Sequence, residues 1–254
     1  MKRYKAYCFD LDGTVYRGDE GIASAIAFIQ KLQQEGIEPF YITNNATKTP
    51  EQVQQKLAAL GIAAPLQHIY TSALVTATYV EQHFRQMKVQ VIGSDGIRVA
   101  LAEKGIHITN DEDASAVVMG LDREINYAKL ASACLAIQNG AKLIGTNGDM
   151  KFPTEQGFVP ANGSFVHLVA TVTETEPLFI GKPSPIMLEA IAQAHHYSKN
   201  EMVMIGDNYQ TDILCGIRFG CDTIHVNTGV TSTAQVQVQQ EQPTCCLSSM
   251  AEWA

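Results

Sequence analysis

Nowhere in the 254 residues is there an apolar run long enough to cross a bilayer. The N-terminal stretch MKRYKAYCFD reaches charged Asp10 too early for a signal peptide, so the expectation is a soluble, cytoplasmic protein. The six cysteines (Cys8, Cys134, Cys215, Cys221, Cys245 and Cys246) form neither a CxxC pair nor a metal-finger spacing, which reads as reduced structural thiols. Positive charge is also scarce: 18 Lys and Arg against 26 Asp and Glu leave a net charge of -8. That balance argues against nucleic acid or an anionic membrane as the main partner. No short-period repeat and no low-complexity linker interrupts the chain.

With 46% hydrophobic residues, the chain can bury a sizeable core as one large domain or two unequal ones. Apolar runs bounded by turn residues alternate with helical spacing, the pattern of a parallel sheet with crossover helices. Strands are expected at 6–9, 38–43, 68–72, 89–93, 116–120, 142–146, 178–181, 202–206 and 222–226. Helices are expected at 23–35, 50–60, 74–86, 95–104, 125–139, 163–173, 184–196 and 211–219. Gly36 and Gly61 suit the ends of the first two, and Pro50 suits the start of the second. The Gln-rich stretch TAQVQVQQEQPT reads as a surface helix or loop. Nine strands are many for one sheet, and the middle third has its own β-α-β-α-β rhythm. The fold expected is α/β: a doubly wound, parallel, Rossmann-like core from 1–78 and 177–254, with an inserted α/β domain at 79–176.

In open parallel sheets, ligands bind beyond the carboxyl ends of the strands. Outside the middle third, four expected strands end in reactive residues: Asp10 and Asp12; Thr43, Asn44 and Asn45; Lys182; and Asp207, with Asp212 five residues on. Each alone has a plain structural reading, as an Asx-turn, a cap or a solvated lysine. Together they supply carboxylates, a hydroxyl and an ammonium, a set suited to a phosphate and a hard cation. Asp10, Asp12 and Asp207 are oxygen donors of the kind Mg²⁺ takes, and the ion would offset both their mutual repulsion and the negative background. One carboxylate can then attack phosphorus to give an aspartyl phosphate. The other gives a proton to the leaving oxygen and takes one from water, a role suited to a carboxyl whose pKa is raised by its neighbour. Thr43 and Lys182 would bind the phosphoryl oxygens, with Asn44 as a further substrate-binding candidate. Gly13 lets the chain turn sharply after Asp12 and brings N–H groups towards the phosphate.

DLDGTV at 10–15, TNN at 43–45, GKPSP at 181–185 and GDNYQTD at 206–212 resemble the four motifs of the haloacid dehalogenase superfamily. The resemblance implies that Asp10 is the nucleophile and Asp12 the acid/base, whose backbone carbonyl is also a metal ligand. It implies that Thr43 and Lys182 hold the phosphoryl group, that Asp207 completes the Mg²⁺ site, and that Asp212 supports the metal waters. A carboxylate at Asp12 points to phosphoryl transfer, because the dehalogenating branch lacks one there. IGTNGD at 144–149, PANGS at 160–164 and the position of the insert resemble the NagD-type, 4-nitrophenylphosphatase branch. In that branch the insert is a large α/β cap over the site, copies often dimerise through it, and the substrates are small phosphorylated metabolites such as sugar and acid-sugar phosphates and nucleotide monophosphates.

Two competing functions share this residue set. A receiver-like phospho-acceptor module also uses an aspartate, a threonine, a lysine and Mg²⁺, but it is about half this length and needs no insert. A phosphomutase would return an isomer instead of free phosphate. Asn147 and Asp149 leave two readings open, substrate contact or a plain turn. His195 and His196, at an expected helix end, read as a C-terminal charge complement instead of a ligand pair. FIGKP is no Walker loop, because Pro183 stands where Ser or Thr is needed.

Overall fold

A computed structural model of the chain describes residues 2–154 and 156–253. The first stretch runs β1 (Ala6–Asp10), β2 (Tyr16–Arg17), β3 (Glu20–Gly21), α1 (Ala23–Gln34), β4 (Phe40–Thr43), α2 (Pro50–Ala59) and β5 (Ile69–Thr71). It continues with α3 (Ser72–Phe84), β6 (Lys88–Ile92), α4 (Asp95–Glu103), β7 (His107–Thr109), β8 (Ala116–Met119), α5 (Tyr127–Gln138) and β9 (Lys142–Gly145). A hairpin, β10 (Lys151–Thr154) and β11 (Gly157–Pro160), leads to α6 (Asn162–Thr173) and β12 (Leu178–Phe179). The last stretch holds α7 (Ile186–His195), β13 (Met202–Gly206), α8 (Leu214–Phe219), β14 (Asp222–Val226), α9 (Thr233–Gln237) and β15 (Cys245–Leu247).

Two compact units divide these elements. The first comprises residues 1–43, 50–70 and 182–254, and the second residues 44–49 and 71–181. In the first unit a six-stranded sheet has the order β15-β14-β13-β1-β4-β5. Along the chain that is a Rossmann order, with the strand sequence reversing direction between β1 and β13. β1 is parallel to β13, with Phe9 beside Ile205, and parallel to β4 on its other side, with Asp10 beside Ile42. Every residue of β1 and β13 is buried, as expected of strands covered by helices on both faces. Phe9, Leu11, Ile29, Leu57, Ile62 and Ile205 lie in the apolar cluster that fixes this sheet against α1 and α2. Burying a side chain of this kind stabilises by roughly 1.5–3 kcal/mol, so register at the β1–β13 seam is firmly set.

The second unit has its own parallel sheet, ordered β12-β9-β8-β6-β7. Val117, Met119, Leu143, Val166 and Val169 form its core with the α5 residues Ala133 and Ile137. The chain is thus α/β with two parallel sheets, as expected.

The strand expected at 178–181 is a correction. Only Leu178 and Phe179 are extended, and they pair with Ile144 and Gly145 in the second sheet. A short apolar run does not reveal which of two sheets it will join. Lys182 therefore enters the first unit from a connecting segment and not from the end of a core strand.

Candidate active site

The reversal of strand order leaves the carboxyl ends of β1 and β13 side by side, and each ends in an aspartate. Asp10 is the last residue of β1, and Asp207 follows the last residue of β13. Both are buried, as is Asp212. One carboxylate oxygen from each of Asp10, Asp207 and Asp212 lies within 4.8 Å of the others. Lys182, only 2% exposed, stands among them, with Nζ 2.5 Å from Asp10 Oδ1 and 2.6 Å from Asp212 Oδ1.

Local sequence explains each placement. After β1 the Leu11 carbonyl accepts from the N–H groups of Val15 and Tyr16, at 2.8 and 3.1 Å, which folds the chain into a tight loop. Gly13 sits in that loop at φ 95, where an L side chain is strained, and a Cβ on it would lie 2.5 Å from Asp207 Oδ2. Asp207 is gripped from two sides: Thr14 Oγ1 donates to Oδ1 at 2.9 Å, and the Val230 N–H donates to Oδ2 at 2.6 Å. Asp212 lies in a wide π-helical turn, Tyr209–Ile213, that opens after β13. There Oδ2 accepts from the Asn208 N–H at 3.0 Å, while Oδ1 accepts from Thr211 Oγ1 at 3.2 Å as well as from Lys182. Gly206 makes room for it, since a Cβ there would come within 2.3 Å of the Asp212 side chain.

The electrostatics follow from burial. Asp10 is pushed well above the ordinary carboxylate range by desolvation first and by the Asp212 charge second, with Lys182 pulling the other way. Desolvation and Asp212 likewise raise Asp207 to about 6, against the stabilising hydrogen bonds from Val230 and Thr14. Desolvation opposes the Lys182 ammonium, but the carboxylates of Asp10 and Asp212 outweigh it and hold the charge firmly in place. Three carboxylates against one ammonium leave an excess of buried negative charge. Clustered hard oxygen donors of this kind fit a divalent cation.

The other expected residues are placed as follows. Thr43 is the buried last residue of β4, the neighbour of β1, and so belongs to the same edge of the sheet. The Asp12 side chain is exposed in the loop after β1, and the carboxylate completing the buried trio is that of Asp212. Asn44 falls in the second unit. Its side-chain amide donates to the carboxylate of Asp149, at 3.2 and 3.4 Å, and its carbonyl accepts from Ser72 Oγ and Asn147 Nδ2. Asn147 and Asp149 form the turn, the Asp149 N–H donating to Asn147 Oδ1 at 3.2 Å. His195 closes α7, at the helix end where it was expected. Burial and the nearby His68 lower its pKa, and its ring packs edge-on against Phe40 and meets Tyr70 Oη through Nε2.

Sequence reasoning missed Thr14, the Val230 N–H and the direct ion pair of Asp212 with Lys182. A threonine two residues after Asp12 was visible as a hydroxyl near the site. A backbone N–H 23 residues beyond Asp207 leaves no trace in residue type.

Comparison with known proteins agrees with this geometry. Residues 7–107 match the family model for haloacid dehalogenase-like hydrolases, and residues 179–253 match the model described as HAD-hydrolase-like. The chain is 43% identical over 253 residues to the 5'-nucleotidase YutF of Bacillus subtilis, covering 100% of this chain and 98% of that one. It is 45% identical over 252 residues to an acid sugar phosphatase of Staphylococcus aureus, covering 99% and 97%. Its structure superimposes on that of a double mutant of the thermostable NPPase from Geobacillus stearothermophilus with a TM-score of 0.93 at 46% identity, covering 100% and 99%. The chain belongs to the haloacid dehalogenase-like hydrolases, in their 4-nitrophenylphosphatase branch.

Proposed function

We propose that the protein is a Mg²⁺-dependent phosphatase that hydrolyses small phosphate monoesters through an aspartyl phosphate on Asp10. The observation that carries this reading is the meeting of Asp10, Asp207, Asp212 and Lys182 at the strand-order reversal of the first sheet. In the first half-reaction an oxygen of Asp10 attacks phosphorus and the bond to the leaving oxygen breaks, while Asp12 donates the proton that oxygen needs. In the second, Asp12 takes a proton from water, the water oxygen attacks phosphorus, and the bond to Asp10 breaks to release inorganic phosphate. Lys182 and Thr43 hold the phosphoryl oxygens as their charge is redistributed. The cation, held by Asp10 and Asp207 with the Asp12 backbone carbonyl and supported by Asp212, supplies neutralising charge to the carboxylates and the phosphoryl group.

The second unit is the segment we assign to choosing the ester, including the inserted residues 79–176. Names of relatives supply the substrate candidates, nucleoside 5'-monophosphates and acid-sugar phosphates. A panel of phosphorylated metabolites, assayed for phosphate release with Mg²⁺ and again after chelation, tests the reading. Release from p-nitrophenyl phosphate and from members of the panel, lost on chelation, is expected. A phosphoprotein that accumulates without turnover would replace the enzyme by a phospho-acceptor module.

A further inference from the structure

The Asp207 backbone is held in place by a histidine that the mechanism does not use. His225 lies in β14 and is fully buried. Its Nε2 is 3.2 Å from the Asp207 carbonyl oxygen and 2.9 Å from the Thr231 carbonyl oxygen. Carbonyl oxygens only accept, so Nε2 carries the proton and donates to both. Nδ1 is then an unprotonated acceptor, and it is buried with no hydrogen-bond partner. Such an orphan is unfavourable, and an apolar side chain of similar size would fill the space without it. A requirement for packing alone does not account for a histidine here. The Nε2–H does.

That N–H closes a wrap of backbone around Asp207. The Thr231 N–H donates to the Asp207 carbonyl at 3.2 Å, and Thr231 Oγ1 accepts from the Tyr209 N–H at 3.1 Å. One residue earlier, the Val230 N–H reaches Asp207 Oδ2. One earlier still, Gly229 passes so close that a Cβ on it would lie 2.0 Å from the same oxygen. Residues 229–231 thus fix the direction in which the Asp207 carboxylate points, and His225 fixes residues 229–231.

We propose that His225 is a positioning residue that, through Thr231 and the Asp207 backbone, holds the Asp207 carboxylate in its cation-binding orientation. The inference rests on the reading of Asp207 as a metal ligand. Groups that orient a ligand from behind typically carry about 10–100-fold in metal affinity.

The test is calorimetric titration of Mg²⁺ into the metal-free protein, together with its melting temperature, for the unmodified chain, His225→Leu and His225→Gln. Leucine removes both the donor and the orphan acceptor, whereas glutamine keeps a donor at the Nε2 position. His225→Leu is expected to weaken Mg²⁺ binding about 10-fold or more, with a melting temperature unchanged or raised, and His225→Gln to restore binding to within about threefold. At saturating Mg²⁺ the KM for p-nitrophenyl phosphate stays as it was. A lower melting temperature with Mg²⁺ affinity unchanged in His225→Leu would assign the histidine a packing role and overturn the proposal. If His225→Leu fails to fold, nitrogen NMR of the unmodified protein labelled at histidine decides, because a proton on Nδ1 instead of Nε2 overturns the clamp. Failure of the unmodified protein to bind Mg²⁺ would remove the underlying reading itself, an outcome distinct from the others.

Discussion

Lys182 Nζ lies 2.5 Å from Asp10 Oδ1, an ion pair shut away from solvent at the end of the central strand. The same ammonium meets Asp212 at 2.6 Å. It is the positive charge that makes two buried carboxylates tolerable side by side, and in the proposed mechanism the same ammonium also meets the phosphoryl oxygens.

Replacing Lys182 with Met keeps most of its volume and removes that charge. Breaking a buried pair by deleting one partner typically costs about 3–5 kcal/mol, because the other charge is left uncompensated. Loss of a donor to the transition state costs about 10²–10³ in rate. Thermal unfolding and phosphate release from p-nitrophenyl phosphate should both fall accordingly in Lys182→Met. Added Mg²⁺ should recover part of the lost melting temperature without the rate. A variant as stable and active as the unmodified enzyme would separate Lys182 from the site.

Asp10→Asn leaves the shape of the site and takes away the charge of the oxygen proposed to attack phosphorus. Removal of a covalent nucleophile costs several orders of magnitude, so phosphate release should drop by more than about 10³-fold while circular dichroism is unchanged. Acid quenching during turnover should trap phosphate on the unmodified chain and none on the variant. Substantial residual hydrolysis would exclude Asp10 as the covalent acceptor.

These residues were legible because chemistry and periodicity pointed to the same places. AYCF and MVMIG are continuous apolar runs, each followed within two residues by an aspartate, and both strands formed where expected. Short strands with little apolar patterning escaped notice. Tyr16–Arg17 with Glu20–Gly21 is a hairpin of two-residue strands in which Tyr16 alone is buried, and Gly157–Pro160 pairs with its partner while showing no buried residue, so neither carries an alternating apolar pattern. Cys245–Leu247 was hidden for another reason: three residues at a sheet edge are too few to show a period. Within the site, what sequence could not convey was contact across long separations. The partner of Lys182 at Asp212 and the grip of Val230 on Asp207 depend on how loops return to the sheet.

Gly13→Ala probes that return directly. Its φ of 95 strains any side chain, and the added methyl would meet Asp207 Oδ2 at 2.5 Å. Left-handed strain of about 1–2 kcal/mol and overpacking of about 1–3 kcal/mol combine here. The melting temperature should fall and the Mg²⁺ dissociation constant rise together, since relief of the clash must move the carboxylate. Calorimetry on the variant checks both, and an unchanged affinity would mean the loop can yield without disturbing Asp207.

The pH dependence of metal stabilisation tests the electrostatics of the site as a whole. Asp207 is raised from 3.8 to about 6 in the folded chain, by desolvation first and by the charge of Asp212 second. The folded state therefore holds this proton more tightly than the unfolded state does. The stabilisation from the group is complete below about pH 4 and is lost as pH rises through about 6. A shift of this size corresponds to about 3 kcal/mol in the metal-free protein. A divalent cation competes with that proton and binds only the ionised carboxylate, so its stabilising effect runs in the opposite direction. Melting curves with and without saturating Mg²⁺ should differ little at pH 5 and much more at pH 7.5. Substituting Asp207 with Asn should flatten the dependence by removing the titrating group, while also lowering the gain from Mg²⁺ at high pH. A gain that is the same at both pH values would mean that Asp207 neither carries the displaced proton nor meets the ion.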